Sequence, residues 1–296
     1  MRIALLSWLP PFWAIWFYTV VLRPTWLRRL AHGIIKKMIP ERVEISGVFL
    51  ALNRDDAIVS GAIALGCYEN YLFRQFQSLI RPGMTVLDVG ANIGLYSAPA
   101  SKRVGQKGRV VAVEPDAESC RILAKTRAAN NLQSLVIVQK AAGRDSGAAN
   151  LFLNPLNKAD HRLYDPSHSR LHIPIETVRG DDLCSQLDCE KVDLIKIDTQ
   201  GFESFVIEGF RQTLVQNHDI ILFMEFWPWG ITESGCNPQA LVNSLLELDF
   251  QIYEVDEDRG RIVPARNLSR LIGRNLEREH TNLYLQRGKP ALIVGL

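Results

Sequence analysis

The sequence predicts a doubly wound α/β domain, a mostly parallel sheet with helices on both faces. Three observations predict it. Short apolar runs recur along the chain, TVLDV at 85–89, RVVAVE at 109–114, DLIKI at 193–197 and IILFMEF at 220–226. Amphipathic stretches of 10 to 15 residues separate them. The first run also enters a glycine-containing loop, DVGANIG. Strands buried on both faces read as continuous apolar runs, and alternation with helices implies parallel crossovers.

The elements follow in order. ENYLFRQFQSLI (69–80) puts Leu72, Phe76 and Leu79 on one helical face, and Arg81-Pro82-Gly83 stops it. The strand from Thr85 to Val89 leads through the glycine loop into a helix ending near Val104, where Pro99 is tolerable only in the first turn. The strand at 109–114 precedes a helix from Asp116 to about Asn130, and Val136 to Val138 forms the third strand. The run at 193–197 is followed by Gly201 and a helix over about 202–214, and a fifth strand covers 220–226. Asn237 caps a helix whose first residue is Pro238, with Leu241, Leu245 and Leu248 inside. Gln251 to Val255 and Leu283 to Gln286 complete the sheet. Residues 148–177 break the rhythm, two short strands around a polar, His-rich loop, and read as a substrate-side insertion.

The expected organisation is an N-terminal extension, 1–40, and one catalytic domain, 41–296. No charge interrupts residues 3–22, and Trp8, Trp13, Trp16 and Trp26 crowd the start. Twenty helical residues span about 30 Å, a bilayer core, and tryptophan favours its interfaces. Pro10-Pro11 would kink one continuous helix. Arg23, Arg28, Arg29, Lys36 and Lys37 follow, so a membrane contact would leave the body on the cytoplasmic face. A Trp-rich arm packed on the protein is the other reading. Five scattered cysteines without zinc-site spacing read as reduced thiols, and a net charge of +2 argues against nucleic acid as partner.

Ligands of open α/β sheets bind at the carboxyl ends of strands. Those ends carry Asp88, Gly90, Asn92 and Gly94 in the first loop, and Glu114 at the end of the second strand, 20 residues past Gly94. An acid there can accept both hydroxyls of a ribose. An anionic pyrophosphate would meet Asp88, a loop lacking Lys and Arg from 88 to 97, and no third glycine. A cationic ligand fits that charge better. An NAD(P)-dependent oxidoreductase or sugar epimerase is the alternative, without an evident Tyr-x-x-x-Lys pair.

VLDVGANIGLYS, VVAVEPD, DLIKIDTQGFE, MEFWPWG and TNLYL together resemble the FkbM-type methyltransferases, over about Glu69 to Gln286. The resemblance implies a seven-stranded sheet whose last strand is antiparallel, with S-adenosyl-L-methionine as cofactor. Asp88, Gly90, Asn92 and Gly94 would line its methionine end, Glu114 and Pro115 its ribose, and Ala141 and Ala142 its adenine. It further implies O-methylation of a hydroxyl on a sugar, a lipid-linked oligosaccharide or a polyketide.

A hydroxyl is a weak nucleophile until its proton leaves, so a base or metal should stand beside it. Asp198 and Glu225 end the fourth and fifth strands. With His161 they are the expected catalytic residues, Mg2+ being a conceivable bridge between the two acids. Two other readings stay open, an ion pair of Glu225 with Lys196 and Asp198 as a helix cap. Asp160 and Arg162, in a segment that resembles the family's DHRxY-like stretch, and Trp227 are the expected acceptor contacts.

Overall fold

The structure is a computed structural model describing residues 33, 36–155, 157–165, 167–273 and 280–288. Residues 3–22, with their expected membrane contact, lie outside the described residues. Among the described residues no helix is long and apolar enough to cross a membrane.

The strands are β1 (Arg42–Ile45), β2 (Val48–Ala51), β3 (Thr85–Val89), β4 (Arg109–Val113), β5 (Leu135–Val138), β6 (Ala141–Gly143), β7 (Gly147–Phe152), β8 (His172–Arg179), β9 (Leu194–Ile197), β10 (Ile221–Phe226), β11 (Gln251–Asp256), β12 (Arg261–Pro264) and β13 (Thr281–Gln286). The helices are α1 (Val59–Leu65), α2 (Asn70–Leu79), α3 (Ser97–Val104), α4 (Ala117–Ala129), α5 (Gly180–Gln186), α6 (Glu203–Gly209), α7 (Arg211–Gln216), α8 (Pro228–Glu233), α9 (Pro238–Glu247) and α10 (Leu268–Ile272).

The central sheet has the order β12-β11-β13-β10-β9-β3-β4-β5. β5, β4, β3, β9 and β10 run parallel, and β13 inserts antiparallel between β10 and β11. The antiparallel last strand is as expected. The eighth strand is β12, which folds back on β11 as a hairpin and covers its outer edge.

Strand side chains alternate between two cores, as period 2 requires. Val86, Ala112, Leu194, Phe223 and Tyr284 pack on the face of α2, α3 and α4. Leu87, Val111, Ile195, Leu222 and Leu285 pack on the opposite face, with α6, α7 and α9. Phe76 of α2 is fully buried, edge-on to Tyr96 at 5.3 Å and to Phe223 at 5.6 Å between centroids.

The helix expected at 202–214 is two helices, broken at Phe210. The break has its own support, since Asp181 accepts from the backbone N–H of Gln212 and Thr213 at the start of α7. Pro99 lies in the first turn of α3, where its missing N–H costs nothing. β6, β7 and β8 form a separate three-stranded sheet beside the parallel strands. All five cysteines are free thiols.

Phe76→Ala is expected to cost about 3–5 kcal/mol, the range for truncating a fully buried aromatic. Urea unfolding measures it. A loss below about 1 kcal/mol would mean that α2 contributes little to the core next to the site.

Candidate active site

The carboxyl ends of β3, β4 and β9 open into a cleft of about 920 Å³, its open mouth included. Gly90, Asn92, Glu114, Pro115, Ala141 and Ala142 line it, as do His161 and Asp198. Asp88 and Gly94 stand behind the lining and serve the loop. Gly90 has φ +81°, and a Cβ there would lie 1.8 Å from the backbone oxygen of Asp198. The loop therefore crosses the end of β9 at a distance only glycine allows. Gly94, at φ +87°, makes similar room for Leu123 of α4.

Glu114 is fixed by the loop it faces. The backbone N–H of Asn92 donates to one carboxylate oxygen at 2.8 Å and that of Asp116 to the other at 2.9 Å. Burial pushes its carboxyl up to about 7, against those two bonds. Asp116 in turn caps α4, accepting from the Ser119 N–H at 2.9 Å. Asp88 accepts from the Ser97 hydroxyl. Its other oxygen has no hydrogen-bond partner among the described residues, and burial raises its pKa.

A second group of charges continues along the same face of the sheet. Asp88 is in register with Lys196, and Lys196 with Phe223. Lys196 is almost wholly buried, and its Nζ donates to Asp198 Oδ2 at 2.9 Å. Burial pushes Asp198 up, but the Lys196 charge, its hydrogen bond and that of Gln200 outweigh it and hold the carboxyl below its ordinary range. Gln200 Nε2 reaches both Asp198 at 3.0 Å and Glu225 at 3.1 Å. Burial, then the charges of Asp198, Glu203 and Glu69, drive Glu225 well above the ordinary value. The structure thus gives Lys196 to Asp198 rather than to Glu225. Glu203, not Asp198, secures the turn into α6, accepting from the backbone N–H of Thr199 and Gly201 at 3.0 and 3.1 Å.

His161 lies in the cleft wall with Lys158, and the charges of Asp116 and Lys158 act on it. Its Nδ1 accepts from the Asn154 N–H at 3.0 Å, so the neutral ring carries its proton on Nε2. Burial holds its pKa below the ordinary value. The Asp160 carboxylate is engaged by Arg162, by Arg170 at 2.9 Å and by the Asn154 amide at 2.7 Å. Arg162 lies 4.6 Å above the Trp227 ring, and Trp227 packs on Trp229 at 5.2 Å. Asp160, Arg162 and Trp227 therefore come together as one buried stack that pins the His161 loop to the end of β10. Asp160 and Arg162 are each only 8% exposed.

Among the residues that sequence reasoning passed over are Gln200, Tyr96 and Glu69. Gln200 sits in the DTQGFE segment, but a neutral amide carries no acid–base signal in sequence. Glu69 carries no local signal at all, because its place depends on α2 lying across the strand ends.

The chain matches the Methyltransferase FkbM domain over residues 88–271, more than half its length. It is 31% identical over 191 residues to the 2-O-methyltransferase NoeI of Sinorhizobium fredii, covering 58% of this chain and 75% of that protein. It is 22% identical to the hexuronic acid methyltransferase AglP of Haloferax volcanii, over 60% and 69%. A SAM dependent methyltransferase from Aquifex aeolicus is similar in structure at 15% identity, with a TM-score of 0.40, over 75% of this chain and 90% of that one. The chain belongs to the FkbM methyltransferase family, and is an S-adenosylmethionine-dependent methyltransferase.

Glu114 yields a signed pH prediction. Its folded value, about 7, lies above the unfolded 4.5. The charged form therefore opposes folding above pH 7, and the penalty fades as pH falls toward 4.5. Glu114→Gln is expected to stabilise the ligand-free protein at pH 8 by about 1–3 kcal/mol, a gain that shrinks at pH 5. Urea unfolding at both pH values measures it, and no gain at pH 8 would mean the two backbone bonds fully offset burial.

Proposed function

We propose that the enzyme methylates a hydroxyl on a sugar-bearing acceptor, free or lipid-linked, at the strand ends where Asp198 and Glu225 meet. The observation that carries this reading is that the Gln200 amide reaches both acids, at 3.0 and 3.1 Å, while Lys196 pairs with Asp198. Lys196 holds the Asp198 carboxyl below its ordinary range, while burial and neighbouring charge push that of Glu225 well above it. Two carboxyls pushed apart in this way supply an acceptor and a donor of hydrogen bonds in one place. Asp198 orients the acceptor hydroxyl and takes its proton as the oxygen attacks the methyl carbon. The C–S bond breaks, and its electron pair stays on sulfur. Most of the rate gain comes from holding the oxygen in line with that bond.

The residues at the cleft suit the methyl donor. Glu114 is placed for the two ribose hydroxyls, with Pro115 next to it. Ala141 and Ala142 offer a flat, apolar contact for adenine. His161 Nε2–H is a donor on the same wall, a positioning role rather than that of base. Gly90 and Asn92 line the cleft toward the methionine end, with Asp88 and Gly94 supporting them. Asp160, Arg162 and Trp227 act on the acceptor by holding the loop and the Trp227–Trp229 wall in place.

Magnesium does not fit this arrangement. Lys196 already neutralises Asp198, and the Gln200 amide directs donor hydrogens at both acids where a cation would need free oxygens. A sugar acceptor is supported by the relatives named as a 2-O-methyltransferase and a hexuronic acid methyltransferase. A depression of about 1,820 Å³, lined by Glu254, Arg266, Arg270 and Asn282 among others, adjoins the cleft at Glu69. Such hydrogen-bonding walls suit a polyhydroxylated chain.

Calorimetric titration of S-adenosylhomocysteine is expected to give micromolar binding that weakens by about 1–3 kcal/mol in Glu114→Ala. Transfer of labelled methyl from the donor to a panel of p-nitrophenyl glycosides then tests the acceptor class, with Asp198→Asn expected to lose at least about 100-fold in turnover. Absence of nucleoside binding would sink the reading. Unchanged turnover in Asp198→Asn would remove that residue from the chemistry.

A further inference from the structure

The TNLYL run opens β13, and its register sets Asn282 opposite Glu225 on β10 and opposite Val255 on β11. Directly opposed residues of a sheet carry their side chains on one face. Two residues deeper in each strand lie Phe223, Tyr284 and Tyr253, whose rings meet at 5.2 and 5.8 Å. β9 continues the pattern on the other side. Lys196 is in register with Phe223, and Asp198 follows two residues on, its N–H extending the ladder to the Val89 carbonyl at 3.0 Å. By period 2 it returns to the same face. Asp198, Glu225 and Asn282 therefore form one polar row across three neighbouring strands, at the rim of an aromatic one.

The row is satisfied at one end and open at the other. Gln200 bridges Asp198 and Glu225. The Asn282 side chain, half-buried beside Glu225, has no hydrogen-bond partner among the described residues. It lines the depression that meets the cleft at Glu69. Several other groups of that wall are already engaged. Glu69 takes the Tyr96 hydroxyl at 2.6 Å. Glu257, in the turn joining β11 and β12, accepts from the backbone N–H of Tyr71 and Leu72 at 2.6 and 2.9 Å. Asp256 pairs with Arg261 at 3.2 Å. An amide offers two donor hydrogens and an acceptor oxygen, and a hydroxyl both donates and accepts. The two are complementary.

We propose that Asn282 is an acceptor-binding residue, whose amide holds a second hydroxyl of the sugar, next to the one that Asp198 deprotonates. This rests on the sugar-hydroxyl reading of the site. Glu225 stands between the two contacts. Neighbouring strands lie about 4.8 Å apart, so three groups one strand apart can read one edge of a single ring. His280, two residues before Asn282, lines the same depression. Its charge reaches Asp198, after burial, Lys196 and Gln200 in effect, which places this end of β13 over the reacting acids. The substrate class narrows accordingly, to sugars with a free hydroxyl adjacent to the methylated one. A site built to bond a hydroxyl discriminates against the analogue that lacks it, because its own polar group is then left unpaired.

The test uses the full chain and the p-nitrophenyl glycoside that it methylates best, with the methylated position located on the product by NMR. That acceptor is compared with monodeoxy analogues that lack a hydroxyl adjacent to that position. In the wild type one analogue is expected to lose about tenfold in kcat/KM, the scale of an amide–hydroxyl contact and the orphaned group it leaves. Most of the loss should fall on the acceptor KM. Asn282→Ala is expected to lose about tenfold on the parent sugar and no more than about twofold on that analogue, whose partner is already gone. Unchanged affinity for S-adenosylhomocysteine reports an intact fold. Equal loss on both sugars would reduce Asn282 to strand support. Unchanged turnover in the variant, or a wild type indifferent to every adjacent hydroxyl, would also overturn the proposal. Should the alanine variant not fold, the same cycle with Asn282→Thr decides, a partial loss confined to the parent sugar supporting the contact and an equal loss overturning it. Failure of the parent reading looks different. No glycoside is then methylated although S-adenosylhomocysteine binds, and the proposal falls with it.

Discussion

The architecture of the site depends on one buried cation. Lys196 stands in the middle of β9, in a strand otherwise apolar, with Asp88 beside it on β3 and Asp198 two residues on. A lysine this deep is tolerable only where anions repay its lost hydration. Burial pushes its pKa down, and Asp198, Glu69 and Asp88 more than reverse that. The same attraction keeps Asp198 ionised among other acids. Remove the cation, and the carboxylates at the strand ends repel one another in a low-dielectric setting.

From that constraint the division of labour follows. With Lys196 committed to Asp198, Glu225 accepts from the Gln200 amide, and burial with the neighbouring acids pushes its carboxyl well above the ordinary range. With Glu203 holding the turn after β9 by its backbone N–H groups, Asp198 is spared as a structural cap. Gln200, at φ +54°, turns its side chain back over both acids. The glycine loop complements this from the β3 side, where Gly90 lets backbone pass within contact of Asp198. Its two N–H-bonded neighbour, Glu114, is positioned by the loop and by the start of α4 together.

The second half of the cleft is built differently. The loop carrying His161 adds no strand to the parallel sheet. Its anchor is the stack of Arg162 on Trp227, with Asp160 binding Arg162 and Arg170 at once. Buried charge pairs of this kind favour one geometry more than they add stability. A loop fixed in this way can differ while the sheet beneath stays the same, consistent with function residing in sites grafted onto a common scaffold.

Much of the fold was legible in the sequence, because burial on both faces leaves runs such as TVLDV and RVVAV that only a parallel sheet explains. Spacing also exposed the acids, since β3, β4, β9 and β10 end at or within two residues of Asp88, Glu114, Asp198 and Glu225. What the sequence could not determine was pairing between distant segments. Register decided that Lys196 meets Asp88 and Asp198, and that the two acids share Gln200. The break at Phe210 came from Asp181, some thirty residues away, capping α7. Glu69 had no signal because α2 crosses the strand ends only through its packing of Phe76 and its clamp by Glu257. Local patterning sets which residues face inward. The partners of a buried charge are chosen by the tertiary fold, because electrostatic satisfaction depends on distances that no local spacing encodes.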